Sequence, residues 1–197
     1  MPAILKLRPR MQRLLSPAIA QAELIGIIAW VGVLMADHAK LLGVQAVIVT
    51  LCLIVVYRLH RRVTHYYLWR ALGVVYMALL TAGFTYVVRT DLQLQVFALP
   101  LAVILVACSA ILFIAVQDFL VCAIVVWLMA WPHIPVGIYQ GVDIYLFIFC
   151  AASVSIGCVL NVSYLKNLRS VLLVESEFRV LAETDYLTSI LNRRAFM

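Results

Sequence analysis

Six apolar runs, at 18–35, 41–57, 71–88, 96–116, 119–131 and 144–160, constrain this chain more than anything else in it. Short polar or basic turns separate them. Most approach the ~20 residues that a helix needs to cross a bilayer; the fifth is short and ends at Pro132. In hydrocarbon the backbone must satisfy its own hydrogen bonds, which favours helix for each run. Composition agrees. The chain is 66% hydrophobic and 12% charged, with mean hydropathy +1.08, whereas a soluble domain carries about 25% charged residues. The net charge of +6 lies between the apolar runs, so it anchors topology and leaves no nucleic-acid footprint.

The basic residues set an orientation. Lys6, Arg8, Arg10 and Arg13 precede the first run without an acid among them. They resemble the charged start of a signal peptide, but the run that follows exceeds the roughly 7–15 residues of a signal core and has no small-residue cleavage site. Arg58, Arg61, Arg62 and Arg70 lie between the second and third runs, and Lys166 and Arg169 follow the sixth. The opposite side holds only Lys40 and Arg89. The positive-inside rule then predicts a multi-pass protein with both termini cytoplasmic. A small transporter or channel would need midplane polar groups, broken helices or repeats, and these runs offer almost none.

A few polar and aromatic residues stand out. Glu23 lies inside the first run, about 7.5 Å from its start. The shallow depth favours a near-interface carboxylate that reaches headgroups or an arginine, over a conformational or proton-linked element of a sensor. His60 and His65 are about 140° apart on a helix and share no face, so they read as solvated loop histidines. His38 and His133 fall near the outer surface, with Asp37 and Asp143 nearby in sequence. They are candidates for a metal or haem, against the default of solvated turns. Trp30, Trp127 and Tyr145 are candidates to line an apolar ligand pocket. Cys52, Cys108, Cys122, Cys150 and Cys158 lie inside apolar runs without Cys-x-x-Cys spacing, which reads as core packing. Pro100 lies in the fourth run, and a membrane helix can carry it as a kink.

After the sixth run, Tyr164, Asn167, Val171, Val174, Phe178 and Leu181 form a heptad series, with Asn167 at a register-fixing position. Within that run, Ala151 with Ser155, and Ser153 with Gly157, are small-xxx-small pairs that let helices approach closely in lipid. Together they predict a helix that serves as homodimer axis and carries a signal. The plainer alternatives are an amphipathic helix on the membrane and packing within one subunit.

The last stretch is polar and contains Asp185-Tyr186-Leu187-Thr188, then Asn192-Arg193-Arg194-Ala195-Phe196. On residue pattern alone it could start an amphipathic helix, capped by Thr184 or Asp185. It also resembles the opening of a GGDEF domain, the diguanylate cyclase family, which commonly reads Asp-x-Leu-Thr, then Asn-Arg-Arg and an aromatic or leucine. Asp185, Leu187, Thr188, Asn192, Arg193, Arg194 and Phe196 match. Tyr186 and Ser189 depart from the family's frequent proline and its Gly or Leu. The resemblance covers only residues 185–197.

The resemblance implies an α/β domain that binds GTP with Mg²⁺ and works as a dimer. Each GTP's 3′-hydroxyl attacks the other's α-phosphate, giving cyclic di-GMP and pyrophosphate. None of those catalytic residues is in this sequence. Asp185, Leu187, Thr188, Asn192 and Arg193 are expected to couple linker to domain, and this stretch of chain alone is expected to be inactive. The six runs are similar to the MASE-type sensors found ahead of such domains in the bacterial inner membrane. The alternative is a non-enzymatic receptor with a degenerate GGDEF domain. The expected fold class is therefore an all-α integral membrane protein. It comprises a cytoplasmic N-terminus (1–17), six transmembrane helices (18–160), a coiled-coil signalling helix (161–184) and the first residues of the GGDEF domain (185–197). The expected partners are a second copy, the bilayer, GTP and a sensory ligand of unknown chemistry.

Overall fold

The structure, a computed structural model, describes residues 2–36, 43–91, 93–135 and 143–183. Six helices carry almost all of them: α1 Pro2–Ala36, α2 Val44–Arg62, α3 Tyr66–Thr90, α4 Ala98–Leu112, α5 Val116–Ala130 and α6 Asp143–Glu183. Short 3₁₀ turns, Leu94–Phe97 and Trp131–His133, precede α4 and follow α5. No strand occurs among the described residues. Six spans are long and apolar enough to cross a membrane, so the chain has the architecture of a multi-pass membrane protein. Two compact units divide it, Met1–Asn161 and Val162–Met197, with α6 contributing to both.

Helix α3 is the centre of the first unit. Half of its apolar window is buried (50%), against 22% for α1 and α2. It packs against α1, α2, α4 and α5. Its buried stripe, Trp69, Tyr76, Leu80, Gly83 and Val87, recurs at three-, four- and seven-residue steps, one face of a helix. Gly83 is small because Trp30 and Val49 lie over it: an added Cβ would meet Trp30 Cζ3 at 3.0 Å. Trp30 is fully buried there and donates its indole N–H to Thr50 Oγ1 at 2.9 Å. Exposed apolar residues cover the outside, among them Ile25 and Ile28 on α1, Val44 on α2, Ile104 on α4 and Leu128 on α5. Such a surface is covered by lipid.

Several boundaries differ from the sequence reading. Helix α2 continues past the apolar run to Arg62, so Arg58, His60, Arg61 and Arg62 are helical rather than looped. His60, Arg61 and Arg62 fill its last turn, where positive charge suits the helix dipole. Only residues 63–65 connect α2 to α3, and His65 caps α3 by accepting from the Leu68 N–H. The break between α4 and α5 falls at residues 113–115, not at Gln117-Asp118. Pro100 lies in the first turn of α4, directly after the 3₁₀ turn Leu94–Phe97.

One end of the bundle carries Arg13, Arg58, Arg61, Arg62 and Arg70. Gln12 of α1 donates to the carbonyl of Val63, just after α2, at 3.0 Å. The start of α3, the end of α4 and the start of α5 lie at the same end, tied by the contacts described next.

Candidate functional site

A buried acid–histidine pair lies at the basic end. Glu23 is part of an α1 stripe, Leu15, Ile19, Glu23, Trp30 and Leu34, that faces the core. His60 completes the buried face of α2 after Ala46, Leu53 and Val56. The two stripes meet so that His60 Nδ1 lies 2.5 Å from Glu23 Oε1, with the side chains 4% and 2% exposed. From α3, Tyr76 donates its hydroxyl to the Glu23 backbone carbonyl at 2.5 Å. Gly26 leaves room for that hydroxyl, since an added Cβ would come within 2.5 Å of it. The Trp69 ring tilts over the imidazole with centroids 5.2 Å apart.

The pair is only half satisfied. Glu23 Oε2 and His60 Nε2 are buried without a hydrogen-bond partner. Oε1 and Nδ1 are joined by one short hydrogen bond, whose donor depends on the imidazole tautomer. Nothing larger can reach the pair. On the Glu23 side, the gap bounded by Ser16, Ile19, Ala20 and Trp69 has no room for a water-sized sphere. On the His60 side a cavity of about 10 Å³ remains, near the lower limit for one water. This leaves no room for a substrate at the pair.

That small cavity links the pair to the rest of the bundle. Its other walls are Trp69, Arg70, Gly73, Leu112, Phe113, Ile114 and Asp118. Arg70 of α3 holds Asp118 of α5 in a two-pronged bond, Nε to Oδ2 at 2.6 Å and Nη2 to Oδ1 at 2.7 Å. Gly73 lets the Phe113 ring approach: an added Cβ would lie 3.3 Å from that ring and 3.7 Å from His60 Cε1. The carbonyl of Phe113 accepts from Asn161 Nδ2 of α6 at 2.8 Å, and the same amide also bonds the Ala110 carbonyl at 2.7 Å. These carbonyls end α4, where the last turn leaves acceptors unpaired. His60 and Phe113 thus line one small cavity, and the Phe113 carbonyl is held by Asn161.

The residues singled out from sequence fare differently. Glu23 is buried inside the bundle, and its partner there is a histidine rather than an arginine or a headgroup. His60 is buried, which corrects the expectation of a solvated loop; only His65 is exposed. Trp30, Trp127 and Tyr145 are in different settings. Trp30 is in the α1–α2–α3 core, and Tyr145 is exposed. Trp127 borders an apolar groove of about 440 Å³ between α5 and α6, with Trp131 and Phe147, and reaches Ser153 Oγ at 3.3 Å. His133 is half-buried in the short turn after α5; His38 lies outside the described residues. Among the described residues no three His, Cys, Asp or Glu side chains cluster as metal ligands.

The α6 residues divide by face. Gly157 is buried beneath Phe119 of its own chain, and Ser153 bonds Trp127, so this small-residue pair serves packing within one subunit. Ala151 and Ser155 are exposed. Further along, Val171, Val174 and Phe178 are exposed, as is Asn167, while Tyr164 is half-buried. The side chain of Leu181, and residues Asp185, Leu187, Thr188, Asn192 and Arg193, lie outside the described residues.

Sequence patterning missed Arg70, Asp118 and Asn161 as partners. The signal for His60 was present: it continues the Leu53–Val56 face by one turn. No family model matches the chain, nor does any curated protein or solved structure.

Proposed function

We propose that this chain is the membrane sensory and dimerising portion of a diguanylate cyclase, of the six-helix type, located in a bacterial inner membrane. Its output is cyclic di-GMP, made from two GTP with Mg²⁺ by a GGDEF domain that begins at Asp185. Asp185, Leu187, Thr188, Asn192 and Arg193 join that domain to the helix before it. The observation that carries the reading is the continuity of α6. It spans 41 residues without a break, about twice what a crossing needs, and leads straight to the motif. A receptor that must move a cytosolic dimer has a direct connection in such a helix.

The sensory element in this reading is the Glu23–His60 pair. It is closed to substrates, and the small cavity beside it is also lined by Phe113, whose carbonyl is held by Asn161 of α6. A shift in its proton or its packing alters the end of α4 and so the seat of Asn161. The exposed positions Asn167, Val171, Val174 and Phe178 supply a face for a second copy along the extension of α6, and Ala151 with Ser155 supply a separate small-residue face within the membrane.

The test uses the full-length protein. One to seven residues are inserted between Leu172 and Glu175, and cellular cyclic di-GMP is measured. Each residue turns a helix by about 100°. Output should fall or rise with insertions of three or four and return near the starting level at seven. Output indifferent to insertion length would sink the coupling, and a full-length protein that turns over no GTP would sink the cyclase.

A further inference from the structure

We infer that the groove between α1 and α2 at the basic end is a binding site for the phosphate headgroup of an anionic membrane lipid. The groove measures about 480 Å³, within the range of small-molecule sites. Arg13, Ser16, Pro17 and Gln21 of α1 line it, facing Tyr57 and Arg61 of α2. The two arginines come from different helices, and neither pairs with a carboxylate among the described residues. Arg61 is already oriented: its guanidinium lies over the Tyr57 ring at 5.7 Å from the centroid, and Nη1 donates to Tyr57 Oη at 3.4 Å.

Guanidinium groups are planar, permanently charged and able to donate two parallel bonds, which matches phosphate geometry. Ser16 and Gln21 add neutral donors for the remaining oxygens or for glycerol hydroxyls. The rest of the groove favours a lipid over a free anion. Leu24 closes its apolar side. One turn beyond, Ile28 continues that stripe on α1 and Ile54 precedes Tyr57 on α2, and all three aliphatic side chains are exposed. A charged head with an apolar tail fits this sequence of surfaces; inorganic phosphate would use only its upper part. The groove also shares Ser16, Ala20 and Arg61 with the wall around Glu23 and His60, so a bound headgroup touches the same turn of α2. The site belongs to the bundle and holds its lipid whatever the output domain does.

The experiment measures lipid retention by native mass spectrometry on purified protein. Wild type is drawn from nanodiscs of phosphatidylcholine alone or with one-fifth phosphatidylglycerol. We expect one phosphatidylglycerol per chain to survive detergent exchange, and the Arg13→Gln/Arg61→Gln variant to lose it. Each arginine removed should weaken retention about fivefold. Arg58→Gln/Arg62→Gln, outside the groove but on the same helix end, should retain it. Equal loss in both variants would mean a diffuse charge effect and overturn the site. Equal retention of phosphatidylcholine by the wild type would overturn it without any variant. A third arm adds millimolar inorganic phosphate or glycerol phosphate. Full displacement of the lipid by either would reassign the groove to a soluble phosphate compound.

Discussion

Glu23 and His60 are stable together and costly apart. Removing one partner of a buried ionic pair typically costs about 3–5 kcal/mol, because the other is left without compensation, whereas apolar replacement of both is often neutral. His60→Leu should therefore lower the melting temperature of the purified protein sharply, and Glu23→Leu/His60→Leu should recover most of the loss. Scanning fluorimetry on the two singles and the double measures this; additive losses would show that the pair does not act as a unit. The residue scale is also where the sequence is least legible. Glu23 is visible as a charge in an apolar run, but its depth is set by α1 extending well before residue 18. His60 looks solvated because hydropathy ends at Tyr57 while helical periodicity does not. Arg70 and Asp118 are 48 residues apart, and no local pattern announces their bond.

Among the elements, α6 makes the sharpest distinction between faces. Gly157 lies under Phe119, so Gly157→Leu should destabilise the bundle by about 1–3 kcal/mol, the usual range for overpacking. Ser155 is exposed. Ser155→Leu should leave the melting temperature unchanged and alter only self-association, read by crosslinking in membranes. If Ser155→Leu unfolds the bundle, or Gly157→Leu changes only association, the faces are assigned the wrong way round. Asn161→Leu should cost about 1–3 kcal/mol, since it strands two buried carbonyls. The small-residue pairs were legible in the sequence as pairs. Which one faces inward was not, because that depends on where Phe119 and Trp127 arrive from another helix.

For the whole molecule, six apolar runs were legible as six helices because hydrocarbon leaves a polypeptide few other choices. Their ends shifted, since a helix continues wherever its backbone and dipole are satisfied, not only where it is apolar. The charge asymmetry of the sequence predicts a topology for these helices. Reporter fusions after Asp91 and Gly141 should signal outside; fusions after Arg62 and Arg169 should signal inside. An outside signal after Arg169 would remove the cyclase reading too, because GTP is cytosolic.

Asn161 gives this architecture a mechanical character. Its one amide nitrogen holds two carbonyls on the same turn, so both hydrogens are committed to a single neighbour. Rotation of α6 cannot release one bond while keeping the other well aligned. Either the α4 terminus turns with the helix, or both bonds open together and two acceptors in a dry interior lose their donor at once. A small twist thus meets a threshold rather than a spring. Such a joint opens all at once or not at all.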